Sequence, residues 1–432
     1  MNAKNWTRGC WRFAGFVVAC CLGCAPPSSV VYTPSPSELR RLEQAVARDA
    51  ASVKHAIALA EAYRAAGRAA DARPLLERAL TRQPDEPDAA FLLGVVYEDL
   101  GRFGDARRLY RSCIDNTHAS KKLRDALTRR LPLLQRRELQ AAVRETLARE
   151  AELVNKPPTP WTIAIFPYQF VGADTLYKPL GRAIAEMLVT DLSQTSRIKV
   201  LERAEVQLLL DEMKLAESGA VNPATAARTG RMLGAERVVQ GSLDGTVRAL
   251  QLETSVVRVG TNRWPGEAAP TPGRPNLLAL SERDALTAFI AMEKRTALKI
   301  YAALGVSITE VERERVTHRP TESISALLAF GRGLVAEDAG AFEGAARHFA
   351  ESVALDPSFE AAVTANARAS NAWRAAAVNT RQLVATVRLT RAGSPDFFLP
   401  NPITRDASAE ILRTEGTSRG TTLDLVIIIK QP

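Results

Sequence analysis

Histidine is scarce in this 432-residue chain, with only His55, His118, His318 and His348. Three of them fall in or beside the helical repeats described below, and none stands at a metal-ligand spacing from Asp, Glu or another His. No Gly-rich phosphate loop follows a strand: Gly331-Arg-Gly333 falls inside a predicted repeat helix, and Gly230 to Gly234 spans a helix end. Ser193 and Ser218 lack a Gly-x-Ser-x-Gly elbow. The residues therefore offer no catalytic group, no metal site and no cofactor, and the chain reads as non-enzymatic. Cysteine is scarce in a different way. Four of the five, Cys10, Cys20, Cys21 and Cys24, lie at the N-terminus, so no disulfide framework is expected in the body. Cys113, at a small-residue position of a repeat, predicts an inert buried thiol.

The leader is basic and then apolar. Lys4, Arg8 and Arg12 precede Phe13 to Val18, a stretch far too short to span a bilayer, which reads as a secretory signal. Cys-Leu-Gly-Cys24 followed by Ala-Pro-Pro-Ser-Ser looks like a lipoprotein cleavage site, with residues 1–23 removed, Cys24 lipidated and residues 24–37 a linker. Cys20, after Val-Val-Ala, is the alternative lipidation site, and an ordinary cysteine-rich signal peptide is the other reading. No acidic residue follows Cys24, and resemblance to other lipoproteins makes Ala25 compatible with transfer to the outer membrane, facing the periplasm. Membrane contact is thus expected through the lipid, and nucleic acid is disfavoured by export. The formal charge of +9 falls to +6 once Lys4, Arg8 and Arg12 leave. The basic run Arg124 to Gln140 is interleaved with Leu127, Leu131 and Leu134, and predicts a solvated helix face.

A fixed period organises residues 53–118. Leu59, Tyr63, Gly67, Ala72, Leu76, Ala79 and Pro84 recur 34 residues later as Leu93, Tyr97, Gly101, Ala106, Tyr110, Cys113 and His118. That spacing resembles the tetratricopeptide repeat, in which small Ala72 and Ala106 let two helices of a hairpin touch while Tyr63 and Tyr97 fill the groove between hairpins. Two repeats bury too little alone, so a preceding helix with Leu39, Leu42, Ala45 and Val46, and the charged run Lys121 to Val154, are expected to extend the array over residues 38–156. The prolines of Lys-Pro-Pro-Thr-Pro160 mark its end. A third copy keeps the register at Gly340, Ala345, Phe349 and Pro357, and the run Ala361 to Arg391 is expected to stack on it, giving a second helical region at 320–391.

Between them, residues 161–313 read as an α/β domain. Thr162 to Phe170 is an apolar run ending in a breaker, and Pro179 opens a helix with Leu180, Ile184, Met187, Leu188 and Leu192 on one face. A strand at Ile198 to Leu201 follows, then a helix with Val206, Leu209, Leu210 and Met213. The next helix has Asn222 as cap, Pro223 in its first turn and the small face Ala226, Gly230 and Leu233, with Gly234 as its left-handed stop. A third strand spans Arg237 to Gly241. This order favours a mostly parallel sheet with helical cover. Further on, Leu250 to Val259 offers one more strand, Thr261 to Pro275 is Pro/Gly-rich, and Ser281 to Leu304 reads as helix.

The stretch KPLGRAIAEMLVTDLSQTSRIKVLERAEVQLLLDEMKL, followed by NPATAARTGRMLGAERVVQGSL, resembles the curli production assembly/transport (CsgG) family. The fold class expected is α+β/α multidomain: α-helical tetratricopeptide hairpins flanking a CsgG-like α/β domain. The resemblance implies three functions. One is a lipid-anchored scaffold that helps assemble or secrete envelope components by contacting envelope proteins through its repeats. Another is a subunit of an oligomeric secretion channel, because the family's curli channel is a ring of lipoproteins contributing membrane β-hairpins; a homo-oligomer is left open. The third is a lipoprotein regulator of a peptidoglycan synthase. The short segment Ala25 to Ser37, the residues after 241 and the helix expected from 281 favour the scaffold. Residues 392–432 read as linker followed by the β-prone run Leu423 to Lys430, expected to join a sheet edge.

Overall fold

The computed structural model describes residues 32–391 except 154–155, 214–222, 247, 261 and 275. Cys20, Cys24, the cap expected at Asn222 and the terminal run Leu423 to Lys430 lie outside the described residues. The helical array begins with α1 (Pro36–Arg48), α2 (Val53–Ala65), α3 (Ala69–Arg82), α4 (Pro87–Asp99) and α5 (Phe103–Asp115). Each inter-helix turn within a repeat is closed by a glycine with positive φ, Gly67 at 79° and Gly101 at 74°, where a side chain would be strained. Ala72 and Ala106 are fully buried at the hairpin contacts.

Next comes α6 (Lys121–Ala148), a 28-residue helix about 42 Å long at 1.5 Å per residue. Its first half closes the array beside α5, with Leu123, Leu127 and Leu134 in the array's core. Its second half leaves the array and lays Leu139, Val143 and Leu147 on Leu208, Leu209 and Met232 of the α/β domain. One helix thus belongs to both bodies. A single turn, α7 (Glu150–Leu153), follows.

The domain's strands are β1 (Thr162–Ile165), β2 (Gln169–Phe170), β3 (Lys199–Val200), β4 (Arg237–Thr246), β5 (Ala249–Arg258) and β6 (Leu277–Asp284). They lie in the order β3-β1-β4-β5-β6, with β2 paired to β4. The pairings β1/β3, β1/β4 and β2/β4 are parallel, and β4/β5/β6 form an antiparallel meander. The expected first strand is split, because Pro167 interrupts it between β1 and β2.

Helices α8 (Leu180–Leu192), α9 (Arg203–Glu212) and α10 (Pro223–Met232) connect the parallel strands, and α11 (Phe289–Ala303) and α12 (Glu310–Thr317) follow the meander. The small face of α10 is used for close approach: a Cβ on Gly230 would stand 2.5 Å from Val238 and 2.7 Å from Val259. Residues 281–284 are strand, not helix. Glu282, Arg283 and Asp284 are weak strand formers, but Leu277 and Leu278 fix the register against β5 and pairing overrides local preference.

The meander is covered on one face along its length and on the other only at the Val238, Val257 and Leu277 end, beside α10. Leu250, Leu252, Val256 and Leu278 are buried in the core that also holds Phe289 and Ile290 of α11, while Glu253 on the other face accepts bonds from Gln251 and, at 2.7 Å, Ser281. Among the described residues no helix is long and apolar enough to cross a membrane.

The C-terminal helices are α13 (Ile324–Asp338), α14 (Phe342–Leu355), α15 (Glu360–Ala376) and α16 (Thr380–Arg391). The third repeat copy is α13 and α14, with Gly340 at φ 75° between them. Its core is shared with the α/β domain, since Phe330, Leu334 and Phe349 lie in one cluster with Ile184 and Leu188. Gly331 makes that possible: a Cβ there would stand 2.3 Å from the Pro179 carbonyl oxygen. Gly331→Val is expected to destabilise the protein by about 1–3 kcal/mol through forced separation of α13 from α8, measurable by urea unfolding. An unchanged midpoint would show that the contact yields freely.

The run 361–391 does not stack as one piece. Helix α15 packs on α14 and along α6 through Ala362, Ala365, Ala369 and Ala372, but α16 turns away to pack on α4 and α6, burying Leu383, Val384 and Val387 in the first array's core. Those apolar residues find cover on α4 that the alanine face of α15 does not offer.

Candidate functional site

The repeats carry a set of polar contacts that returns with the 34-residue period. Tyr63 Oη donates to Glu43 at 2.8 Å and Tyr97 Oη donates to Glu77 at 2.8 Å, each reaching the preceding helix. Arg68 lies 4.2 Å over the Tyr63 ring and Arg102 lies 4.4 Å over that of Tyr97. Arg68 and Arg102 in turn pair with Asp71 and Asp105. Burial against Glu43 and Glu77 raises the pKa of both phenols. The tyrosines were legible in the sequence. Their Glu and Arg partners were missed, although they share the same spacing.

Of the residues singled out for repeat packing, Leu59, Ala72, Leu93, Tyr97 and Ala106 enter one core, with Tyr63 packed against it and Gly67 and Gly101 at its turns. Ala345 and Phe349 enter the other core, and Pro357 lies in the exposed turn between α14 and α15. The structure therefore does not bring the third copy into the first array. Cys113 is buried, and burial pushes its thiol up to about 12, so it is not a nucleophile at neutral pH.

The two helical regions are joined through arginines. The solvated face expected for residues 124–140 is corrected here, because Arg130 and Arg136 point inward. Arg130 donates to Glu98 at 2.9 and 2.5 Å, to the Val378 carbonyl at 2.7 Å and to that of Ala375 at 3.2 Å. Arg136 binds the carbonyls of Glu337 at 3.0 Å and Asp338 at 2.6 Å. The last carbonyls of a helix lack intrahelical donors, and a guanidinium supplies several. Two arginines of α6 thus cap the C-terminal ends of α15 and α13. Burial lowers the pKa of Arg136; at Arg130 burial acts the same way, but Glu98 outweighs it and the net shift is upward.

A second joint centres on Arg203 at the start of α9. It binds Glu186 of α8 at 2.7 Å, Glu337 at 3.3 Å and the buried Asp338 of α13, while Arg368 of α15 donates twice to Glu337 at 2.8 Å. A third cluster folds the Pro/Gly-rich segment onto β4: fully buried Arg237 pairs with Glu267 at 2.8 Å beneath the Trp264 ring.

Between α8, α11 and the C-terminal helices lies a half-open cleft of about 280 Å³, lined by Met187, Phe330 and Phe359 with Asp191, Lys294 and His318. Lys294 Nζ donates to both Asp191 oxygens at 2.9 and 2.7 Å and lies 3.2 Å from Glu293, whose own oxygens receive no well-formed hydrogen bond. Burial, then the Asp191 charge, holds the Glu293 pKa well above the usual 4.5. Between 4.5 and that raised value the folded protein binds more protons than the unfolded chain, so this group makes the wild type lose stability as pH rises. Glu293→Gln, neutral at every pH, is expected to gain stability relative to wild type across that window and to level off above it. A difference that does not vary with pH would contradict this. Among the described residues no group of His, Cys, Asp and Glu is arranged to hold a metal.

Two family models agree with this architecture. The family model described as curli production assembly/transport component CsgG matches residues 144–260, and a tetratricopeptide repeat model matches residues 57–117. No curated protein matches the chain. Among solved structures, the LpoB C-terminal domain from Salmonella enterica is similar at 13% identity, covering 34% of this chain and 95% of that one, with a TM-score of 0.23. The chain thus joins tetratricopeptide repeats to a CsgG domain whose matched span begins in the last turns of α6.

Proposed function

We propose that this protein is a non-enzymatic scaffold of the bacterial envelope, anchored by lipid on Cys24 to the periplasmic face of the outer membrane, which helps assemble or secrete envelope components. The observation that carries the reading is the pair of arginine joints. Arg130 and Arg136 tie the two sets of repeat helices to each other and Arg203 ties the second set to the CsgG domain, so a protein held by the repeats is held at a fixed position relative to that domain. A scaffold needs that fixed geometry. The channel reading would need membrane hairpins, and the hairpins among the described residues have one face buried under α11 and the other lined by Glu253 and Ser281 and, at Val257 and Leu277, packed with α10.

The test is a photo-crosslinker in growing cells, placed at exposed Lys54 on α2 and, separately, at exposed Lys199 on β3. Discrete adducts to another envelope protein from Lys54 are expected. No adduct from either site, or adducts only between copies of this chain, would contradict the scaffold. Labelling with a fatty acid should be lost in Cys24→Ala and kept in Cys20→Ala.

A further inference from the structure

Helix α4 is buried on every side through most of its length. From Ala89 to Glu98 all ten residues are buried, although packing within a repeat requires only part of that surface. The remaining face is covered by the chain itself. Helix α16 lies on α4 and α6 and buries Leu383, Val384 and Val387, an i, i+1, i+4 stripe, in the array's core. Its N-terminal end meets carboxylate: Thr380 Oγ1 donates to Asp99 at 2.7 Å, and Asp99 is held by Arg64 at 3.3 Å. The helices that α16 covers, α4 and α6, lie side by side in the array through their shared core.

We propose that the α4/α6 face is a docking groove for an amphipathic helix and that Thr380–Arg391 is a displaceable occupant, so that a partner helix binds by replacing it. The partner carries apolar side chains at i, i+1 and i+4 and a hydroxyl or amide at its N-terminal end to meet Asp99. Two features make α16 replaceable. It caps itself, with Asn379 Oδ1 accepting from the Gln382 amide at 2.8 Å and Gln382 Oε1 accepting from the Asn379 amide at 3.0 Å, so its start is formed without the groove. Among the described residues it is joined to the fold through residues 377–379, and the burial of Leu383, Val384 and Val387 does not by itself outweigh the ordering of a 12-residue helix.

This inference rests on the scaffold reading, because it assumes that the repeats hold partners. The experiment uses the full chain and a fluorescent peptide of residues 378–391. Fluorescence anisotropy is expected to show the peptide binding the variant Leu383→Asp, Val384→Asp, Val387→Asp at least ten-fold more tightly than wild type, and a peptide carrying Leu383→Asp binding neither. In wild type, hydrogen exchange at residues 383–391 should be at least ten-fold faster than in α4, reporting local release. The proposal falls if the variant keeps its melting profile yet binds no peptide, or if α16 and α4 exchange at one rate. The exchange result decides the matter even if the variant fails to fold. Adducts from Lys54 that form equally in wild type and variant would leave the scaffold standing while removing this groove.

Discussion

Glu98→Ala is expected to destabilise the protein by about 3–5 kcal/mol, because it leaves a buried arginine without its counter-charge. The Glu98 side chain is 1% exposed and that of Arg130 is 3% exposed. The same carboxylate also accepts from Arg137 at 2.9 Å and from Tyr110 at 3.3 Å. Removing it strands Arg130 on the carbonyls of Ala375 and Val378 and withdraws the partner of two further donors. The double variant Glu98→Leu, Arg130→Met removes both charges at once, and the cost should fall to a fraction of that of the single change. Urea unfolding of wild type, both single variants and the double variant measures the coupling. A single variant as stable as wild type would show that water reaches the pair and that the joint does not bind the array to α15.

Arg203→Ala is expected to cost a similar amount, about 3–5 kcal/mol, with a different consequence. Arg203 pairs with carboxylates of both α8 and α13 at this joint, and without it Asp338, whose side chain is 6% exposed, is left with Arg182 of α8 at 3.5 Å. Its three carboxylate partners hold the Arg203 guanidinium well above its ordinary pKa despite burial, so it is charged at every pH at which the protein folds. Lysine is a poor replacement because a single ammonium cannot reach Glu186, Glu337 and Asp338 together, and Arg203→Lys should recover less than half of the loss. Limited proteolysis gives a second readout: the connection between α12 and α13, residues 318–323, should be cut sooner in Arg203→Ala. Equal cutting in both proteins would mean that the shared apolar core alone holds α13 in place.

Local periodicity carried most of what the sequence revealed. The 34-residue spacing gave α2 to α5, the turns at Gly67 and Gly101 and the buried Cys113, and the alternation of apolar runs gave β1, α8, α9, α10 and β4 in order. Gly230 was readable as a close-approach position because its helix is built of small residues. The joints were not readable. Arg130 and Arg136 look like solvated residues in a charged helix, and what turns them inward is helix ends more than 200 residues away in the chain. Nothing near Arg203 in sequence announces Asp338. Strand β6 was hidden by Glu282, Arg283 and Asp284, which pass for helix until β5 offers them a partner. Helix α16 was expected within the run 361–391, but its neighbour was not, since its apolar stripe fits any helical neighbour and only the fold selects α4.

The measurement that bears most directly on the scaffold is the mass of the full-length protein extracted in mild detergent, corrected for bound detergent, beside a Cys24→Ala form. A monomer or dimer in both preparations, with lipid in the first alone, is what this account predicts. A discrete ring of many copies would contradict it and assign the CsgG domain to a channel.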